Sequence, residues 1–465
     1  MRYHLTTLGC QMNHSDSERV RTVMDGMGLL WTDHEEEADL LGVLACSVRQ
    51  KAIDKVYTRI HRWNQWKSER SLVTFVSGCV LADDQAKFLK LFDLVFTMNE
   101  LPRVPELLRQ YGMVTPLSVR ASVEPAVPTG PAATVIPLAA VRPCPPNRPV
   151  MTGLWQLDAT PASAFAAYVP IQNGCDKFCT FCAVPYTRGR EVSRPSAAIL
   201  REVQSLVDRG YQSITLLGQN VNSYGHDKPG AELNFAALLR GVGEMGERAG
   251  RRFWVYFTSP HPRDMTDEVL ETVARYPCLA KQIHLPLQSG DDQVLLRMNR
   301  QHSVGQYRSI VHTIRRLLPE ATLYTDIIVG FSGETAAQSA NTQRVLEEMR
   351  YNNGYLALYS PRPGTASSRW PDDVPRDEKL RRFHALNNVL IAHGQAYNDG
   401  LIGRTVPVLV TGRDGRSGCL EGLTEGKLNV RVAVDNPAWI GKFIDVTLTS
   451  AQPFALAGEL VNVAV

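Results

Sequence analysis

Hydrophobic and polar positions follow three different patterns along the chain, and the first hundred residues repeat one of them. A short apolar run leads to a cysteine and then to a stretch with helical periodicity. The apolar runs cover residues 5–8, 40–45 and 72–76, and a fourth run at 94–96 precedes a further helix. Strands that alternate with helices are typical of parallel βαβ units. We therefore predict an open parallel α/β sheet domain over residues 1–112.

A longer alternation of strands and helices occupies residues 164–399. Its six apolar runs predict a central partial (β/α)6 barrel, in which functional loops follow the strand ends. The runs are 168–171, 213–217, 253–256, 282–285, 325–329 and 355–359.

Two other segments lack this alternation. Residues 400–465 contain short alternating runs between turns, a pattern typical of a small five-stranded β-barrel that often binds nucleic acid. Residues 113–163 are rich in proline, alanine and valine, and repeated prolines disfavour helices and interior strands. The chain is therefore expected to be an α/β protein with three domains of unequal size and one linker or covering arm.

Composition and charge narrow the class of protein. Hydrophobic residues make up 44% of the 465 residues and charged residues 21%, as in ordinary globular chains. No apolar run approaches the roughly 18 residues of a membrane span, and no apolar segment follows Met1, so we expect a cytoplasmic monomer without membrane contact. The formal net charge is only +3, so any nucleic-acid contact must be local.

Three of the nine cysteines follow strand ends in the first domain: Cys10, Cys46 and Cys79. Ligands of open α/β sheets bind beyond the carboxyl ends of the strands, so these three thiols could share one metal site. The alternative is that each is a small buried hydrophobic residue, because free cysteines are often buried.

Cys175, Cys179 and Cys182 form a CxxxCxxC motif after the first strand of the second domain. Thiolates at this spacing can hold three irons of a 4Fe-4S cluster and leave the fourth iron open. Structural zinc is the alternative, but it needs four ligands, and the chain has no second close cysteine pair. The other three cysteines are expected to be ordinary thiols: Cys144, Cys278 and Cys419.

This motif, with Phe181 before its last cysteine, resembles the radical S-adenosylmethionine (SAM) superfamily, and residues 174–195 resemble its methylthiotransferase family. The family's C-terminal TRAM module is a small β-barrel, similar to the segment from Leu401. Further similar segments are 216–222, 258–262, 284–290, 325–335 and 359–365.

The resemblance implies two 4Fe-4S clusters and six catalytic cysteines. Cys175, Cys179 and Cys182 would ligate the cluster that binds and reductively cleaves SAM to a 5′-deoxyadenosyl radical. The three cysteines of the first domain would hold an auxiliary cluster, whose sulfur is methylated by one SAM and delivered to a carbon radical generated by a second. An electron donor such as flavodoxin or ferredoxin is also implied. Residues expected to contact SAM or the target are Phe181, Gln219, Asn220, Gln288, Asp326 and Gly330.

The family divides by target, and the residues after the first cysteine distinguish its branches. Residues 10–13 read Cys-Gln-Met-Asn, which is similar to the enzymes that act on isopentenyladenosine in tRNA; residues 46–49 and 184–189 agree. The resemblance thus implies methylthiolation of carbon 2 of N(6)-isopentenyl (dimethylallyl) adenosine at position 37, beside the anticodon. Alternatives are threonylcarbamoyladenosine in tRNA, a ribosomal-protein aspartate, and a non-catalytic zinc protein that binds RNA.

RNA contacts are predicted at two local clusters of basic residues. The first lies on one helical stretch with Trp63 and Trp66, where cations could bind phosphate and aromatic rings could stack bases. The second opens the helix that joins the core to the β-barrel. A solvated helix face is the alternative for such charge runs. The basic residues in question are Lys51, Lys55, Arg59, Arg62, Lys379 and Arg382.

Overall fold

Five parallel strands form the N-terminal sheet in the computed structural model, which describes residues 1–48, 50–113, 155, 157, 159–415 and 417–461. The strands are β1 (Arg2–Thr7), β2 (Leu30–Trp31), β3 (Leu40–Cys46), β4 (Val73–Cys79) and β5 (Leu94–Val95). The helices are α1 (Gln11–Gly26), α2 (Gln50–Trp66), α3 (Ala82–Phe88) and α4 (Val104–Gln110). The spatial order is β2-β1-β3-β4-β5. The predicted open parallel sheet is confirmed.

The central strand β3 is buried along its whole length, as expected for a parallel strand covered on both faces. Its side chains alternate between two cores, because successive residues of a strand point to opposite faces. Leu40 and Leu44 pack in one core with Val20 of α1. Leu41 packs in the other core with Trp63 of α2.

Six parallel strands build the central half-barrel. They form two three-stranded sheets, β6-β9-β10 and β11-β12-β13, linked by a parallel bridge between Val255 and Leu279. Their bounds are β6 (Ala166–Pro170), β9 (Ser213–Leu217), β10 (Trp254–Phe257), β11 (Gln282–His284), β12 (Thr322–Val329) and β13 (Asn353–Leu358). The predicted partial (β/α)6 barrel is confirmed.

Eight helices of the described chain surround or extend this half-barrel. They are α5 (Val184–Arg188), α6 (Ser196–Asp208), α7 (Phe235–Arg248), α8 (Asp267–Arg275), α9 (Asp292–Arg297), α10 (Val304–Leu317), α11 (Ala336–Met349) and α12 (Arg376–Asp399). None of the helices described is long and apolar enough to cross a membrane.

A short antiparallel pair that the hydrophobic pattern does not predict closes the loop after β6. It consists of β7 (Gln172–Asn173) and β8 (Val192–Ser193), and the CxxxCxxC motif lies between these two strands.

The C-terminal segment is a closed five-stranded barrel, as predicted, with strand order β14-β15-β16-β18-β17. Its strands are β14 (Thr405–Arg413), β15 (Leu420–Thr424), β16 (Asn429–Val432), β17 (Phe443–Gln452) and β18 (Ala455–Leu460). The barrel docks on the half-barrel through an edge-to-face contact between Trp254 and Phe443, with ring centroids 4.6 Å apart. The Lys281 backbone N–H also donates to the Glu425 carboxylate at 3.0 Å.

Most of the predicted linker, including Cys144, lies outside the described residues. Its last part runs along α1, where the Ala162 backbone N–H donates to Glu18 Oε1 at 2.9 Å. The three domain limits drawn from the sequence stay predictions.

Two basic residues predicted to contact RNA are instead buried on α12. The Lys379 side chain is 5% exposed, pairs with Asp372 and donates to the Tyr359 carbonyl oxygen at 3.1 Å. Arg382 is 6% exposed and pairs with Glu334 at 2.7 Å. The prediction is therefore wrong for both side chains, because their charges are used to hold α12 against the half-barrel.

Replacing Arg382 with alanine is expected to destabilise the protein by about 3 kcal/mol or more, because buried Glu334 loses its partner. The measurement is urea unfolding. Arg381→Ala is the matched control, since the Arg381 side chain is 66% exposed and should leave the urea midpoint unchanged. Equal effects of the two substitutions would contradict the buried-pair assignment.

Candidate active site

The CxxxCxxC loop is folded back on itself by backbone hydrogen bonds. The Cys175 N–H donates to the Gly189 carbonyl oxygen at 3.2 Å, and the Cys182 N–H to that of Cys179 at 2.9 Å. Gly174 has a φ of +81°, and a Cβ there would lie 2.0 Å from the Arg190 carbonyl oxygen. Only glycine fits this close approach, so the start of the loop depends on it.

The three thiols of this loop lie within electrostatic reach of one another and of a cation. Burial raises the pKa of Cys175 and of Cys182 to about 12, and the neighbouring Cys179 adds to both shifts. Arg300, which is 6% exposed, points Nη1 at Cys179 Sγ over 3.5 Å. Metal or cluster binding must therefore displace protons from Cys175 and Cys182, although the charge of Arg300 partly opposes the rise in the pKa of Cys182.

This donor set fits an iron–sulfur cluster with one open iron better than a closed zinc site, because the loop supplies three thiols. Throughout the described part of the chain, no three Cys, His, Asp or Glu side chains already stand in metal-coordinating geometry.

Cys10, Cys46 and Cys79 converge as expected at one edge of the N-terminal sheet. Cys46 and Cys79 are direct register partners at the ends of β3 and β4. Cys10 immediately precedes α1, and its Sγ lies 3.8 Å from Asn13 Oδ1. The Sγ of Cys79 lies 3.4 Å from the same oxygen. Two of the three thiols thus lie against one amide side chain, and Cys46 packs beside Cys79. Their role as cluster ligands stays a prediction.

Asn13 is held rigidly in this position. It is fully buried, and its Nδ2 donates to the Ala45 carbonyl oxygen at 2.8 Å. Gly78, with a φ of +105°, permits this packing, since a Cβ there would meet the same carbonyl oxygen at 2.5 Å. The strand ends can therefore approach one another closely.

Arg188, at the end of α5, connects the two groups of cysteines. Its Nε donates to Cys79 Sγ at 2.9 Å, and its Nη2 to Asp16 Oδ2 at 2.5 Å and to Asn13 Oδ1 at 3.3 Å. Nη1 donates to Asn173 Oδ1 at 3.1 Å. Burial opposes the charge of this side chain, but Asp16 and Cys79 raise the pKa of Arg188 above its ordinary value. One side chain of the half-barrel thus completes a site built by the N-terminal sheet.

A second arginine of the half-barrel, Arg362, reaches the same edge. Its Nη1 donates to Gln50 Oε1 at 2.9 Å, at the start of α2. Burial lowers the pKa of Arg362, while the nearby Cys46 and Asp84 oppose that shift. Sequence reasoning did not single out either arginine as a site residue, because no local spacing relates them to cysteines more than a hundred residues away.

The residues predicted to contact SAM or the target lie around the strand ends of the half-barrel. After β9, Gln219 Oε1 accepts from the Gly174 N–H at 2.5 Å, and Asn220 Nδ2 donates to Asp264 Oδ2 at 2.9 Å. Phe181 packs edge-to-face with Phe331, with ring centroids 6.3 Å apart. Gln219 therefore orients the cysteine loop itself.

On the opposite side of the half-barrel, Gln288 adopts a φ of +75° and its N–H donates to the Asp326 carbonyl oxygen at 2.8 Å. The Asp326 carboxylate lies 3.2 Å from His284 Nε2. Gly330 follows β12 with a φ of +68°, and a Cβ there would lie 2.4 Å from Lys379 Cγ. These contacts explain the local geometry, and the ligand roles of all six residues stay predictions.

The basic helix α2 has two exposed lysines and two arginines that are already paired. Arg59 and Arg62 both form ion pairs with Glu35. The sequence suggested that Trp63 could stack on a base. Trp63 is buried, so that prediction is wrong. Lys51 and Lys55 are exposed, next to the edge where the first three cysteines converge.

Models of known families match three parts of the chain. The Radical SAM superfamily matches residues 169–345, Uncharacterized protein family UPF0004 matches residues 2–98, and the TRAM domain matches residues 401–461.

Solved structures with a similar fold include two radical SAM proteins. The radical SAM methyltransferase TsrM from Kitasatospora setae aligns with a TM-score of 0.53 at 12% identity, over 79% of this chain and 75% of that one. The cobalamin-dependent radical enzyme OxsB aligns with a TM-score of 0.50 at 13% identity, over 83% of this chain and 56% of that one. At these identities the likeness supports the fold alone.

Curated relatives match almost the entire chain, and three of them share one name, tRNA-2-methylthio-N(6)-dimethylallyladenosine synthase. The protein of Saccharophagus degradans is 36% identical over 99% of this chain and 96% of its own. Those of Chromobacterium violaceum and Geobacter metallireducens are 36% and 37% identical, each over 98% of both chains. The chain belongs to the radical SAM methylthiotransferase family that includes these synthases.

Proposed function

We propose that this protein methylthiolates carbon 2 of N(6)-isopentenyl (dimethylallyl) adenosine at position 37 of tRNA, with SAM as both radical source and methyl donor. The observation that carries the proposal is the placement of the two cysteine triads at the two ends of α5: Cys182 precedes its first residue, and Arg188 at its last residue contacts Cys79. The full-length similarity to curated synthases supports the same substrate over threonylcarbamoyladenosine or a ribosomal-protein aspartate.

The two triads would each hold one 4Fe-4S cluster. Cys175, Cys179 and Cys182 supply three thiolates for the SAM-binding cluster, and the three cysteines of the N-terminal sheet supply them for the auxiliary cluster. When bound, the clusters supply the electron that cleaves SAM and the sulfur that is transferred.

The surrounding chain orients the reactants and excludes water. Cys46 and Cys79 are 3% and 4% exposed, so solvent is kept from these two thiols, whereas Cys10 is exposed at the edge of the site. Gln219 holds the SAM-cluster loop through the Gly174 N–H, and the strand-end residues Gln288 and Asp326 line the opposite side of the half-barrel. An unactivated C–H bond resists acid–base chemistry and requires a hydrogen-abstracting radical. Such a radical requires a site to which water has limited access.

The tRNA would approach the edge where the N-terminal sheet meets the half-barrel. Lys51 and Lys55 provide exposed positive charge beside it. We further propose that the enzyme acts as a cytoplasmic monomer and takes electrons from a small reductant such as flavodoxin or ferredoxin.

Anaerobic reconstitution should yield about eight irons per chain, because two 4Fe-4S clusters bind. The triple variant Cys175→Ala, Cys179→Ala, Cys182→Ala should retain about four irons, and so should the triple variant of Cys10, Cys46 and Cys79. The measurements are iron and sulfide analysis with visible absorption. A single colourless zinc per chain would contradict both cluster assignments.

Cys79→Ala should preserve SAM cleavage and abolish methylthio product, because only the auxiliary site loses a ligand. The chain, the variant and the matched control Cys419→Ala are expressed in a strain that lacks its own tRNA methylthiotransferase. Nucleoside mass analysis of tRNA then reports the product, and deoxyadenosine release by the purified protein reports SAM cleavage.

The native chain and Cys419→Ala should convert isopentenyladenosine to its methylthio form, whereas Cys79→Ala should leave it unconverted. Product from Cys79→Ala would refute the auxiliary-cluster role. Isopentenyladenosine that stays unconverted in the presence of the native chain would refute the proposed substrate.

Lys51→Ala with Lys55→Ala should weaken tRNA binding and reduce its salt dependence. Each lost phosphate contact is expected to lower the slope of log affinity against log salt by about one. The measurement is a binding titration at several salt concentrations. Lys87→Ala with Lys90→Ala is the matched control, since both lysines are exposed on the same domain, at and just beyond the end of α3. An unchanged slope would place the RNA elsewhere.

A further inference from the structure

Arg188 lies in the loop that carries Cys175, Cys179 and Cys182, but its side chain donates a hydrogen bond to Cys79 of the other triad. It follows Cys182 by six residues and ends α5, within the segment enclosed by β7 and β8. Its guanidinium, however, reaches the edge of the N-terminal sheet, where Nε is 2.9 Å from Cys79 Sγ. The loop that holds the SAM-cluster thiols is therefore tied to the sulfur site.

We propose that Arg188 is a positioning residue that raises the reduction potential of the auxiliary cluster and fixes that cluster relative to the SAM site. The inference rests on the proposed function, since it requires a cluster on Cys10, Cys46 and Cys79.

The electrostatic argument follows from burial. The Arg188 side chain is 6% exposed, so solvent screens its charge poorly, and a cation at this distance stabilises the more negative, reduced state of a cluster. Hydrogen bonds to ligand sulfurs act in the same direction. Removing Arg188 should therefore lower the potential.

Asp16 supplies the opposite charge at the same place. Its side chain is 2% exposed and lies 2.5 Å from Arg188 Nη2. The carboxylate anchors the guanidinium, but its negative charge disfavours cluster reduction. Neutralising Asp16 should thus raise the potential of the cluster. If the substitutions acted only by a loss of packing, those of Arg188 and of Asp16 would shift the potential in the same direction.

The positioning argument follows from the four hydrogen-bond acceptors of this guanidinium. Asn13 and Asp16 lie on α1 and Cys79 ends β4 of the N-terminal domain, whereas Asn173 lies on β7 of the central domain. Asn173 Nδ2 also donates back to the Arg188 carbonyl oxygen at 3.2 Å. The planar guanidinium of Arg188 has five N–H donors and can reach all four acceptors. The ammonium group of a lysine has three donors on one atom and cannot reproduce this arrangement.

The experiment measures the auxiliary cluster alone, in the full chain carrying Cys175→Ala, Cys179→Ala and Cys182→Ala. Redox titration followed by electron paramagnetic resonance gives its midpoint potential. In this background Arg188→Gln should lower the midpoint potential of the auxiliary cluster by about 59 mV or more, which corresponds to at least a tenfold change in the one-electron reduction equilibrium. Asp16→Asn should increase the potential, and Arg188→Lys should give a smaller decrease than Arg188→Gln.

The matched control is Arg190→Gln, which removes one positive charge from the same loop. The Arg190 side chain is 55% exposed and pairs with Asp176, so its loss should leave the potential unchanged. If Arg188→Gln does not fold, the double variant with Asp16→Asn removes both buried charges, and its potential should fall below that of Asp16→Asn alone.

The outcomes separate the inference from the function on which it rests. Absence of iron from the background variant would overturn the auxiliary cluster, and the inference with it. A bound cluster whose potential is the same with Arg188→Gln, or shifts in one direction with both Arg188→Gln and Asp16→Asn, would overturn the inference alone. Opposite shifts would support it.

Discussion

The buried charge of Arg188 constrains how the two α/β domains meet. A guanidinium taken out of water is tolerated only when its donors are satisfied and its charge is compensated. Asn13 and Asp16 of α1 and Cys79 of β4 come from the N-terminal domain and Asn173 from β7 of the central domain, so this docking arrangement satisfies the side chain. The same arrangement brings the two cysteine triads to the two ends of α5. The relative position of the two proposed clusters thus follows from the partners of one cation.

Buried ion pairs also organise the far side of the half-barrel. Lys379 and Arg382 bind carboxylates and carbonyls beneath α12, and Gly330 leaves room for the Lys379 stem. The closed β-barrel then packs beyond this helix, with Trp254 against Phe443. Several cations of a nearly neutral chain are therefore used inside the protein. The exposed charge that remains for RNA is correspondingly local, at residues such as Lys51 and Lys55.

Element order was predictable because each domain has its own hydrophobic period. The strand at 213–217 matches its apolar run, and the five β-barrel strands follow the alternating segments. The pair β7 and β8 was missed, since two-residue strands have no periodicity. The burial of Trp63, Lys379 and Arg382 was also missed. A helical pattern shows which residues share a face, but the neighbour that covers that face comes from elsewhere in the chain.

The parallel sheets, the β-barrel and the three close cysteines could be predicted from the chain alone, because periodicity and ligand spacing are local properties. The sequence also indicated that Cys10, Cys46 and Cys79 end parallel strands, which places them at one edge. The contact of Arg188 with Cys79 and the ion pairs of Glu35 with Arg59 and Arg62 could be found only in the folded chain. Such contacts depend on how separate domains and loops pack, and a buried charge selects its partners only after that packing exists.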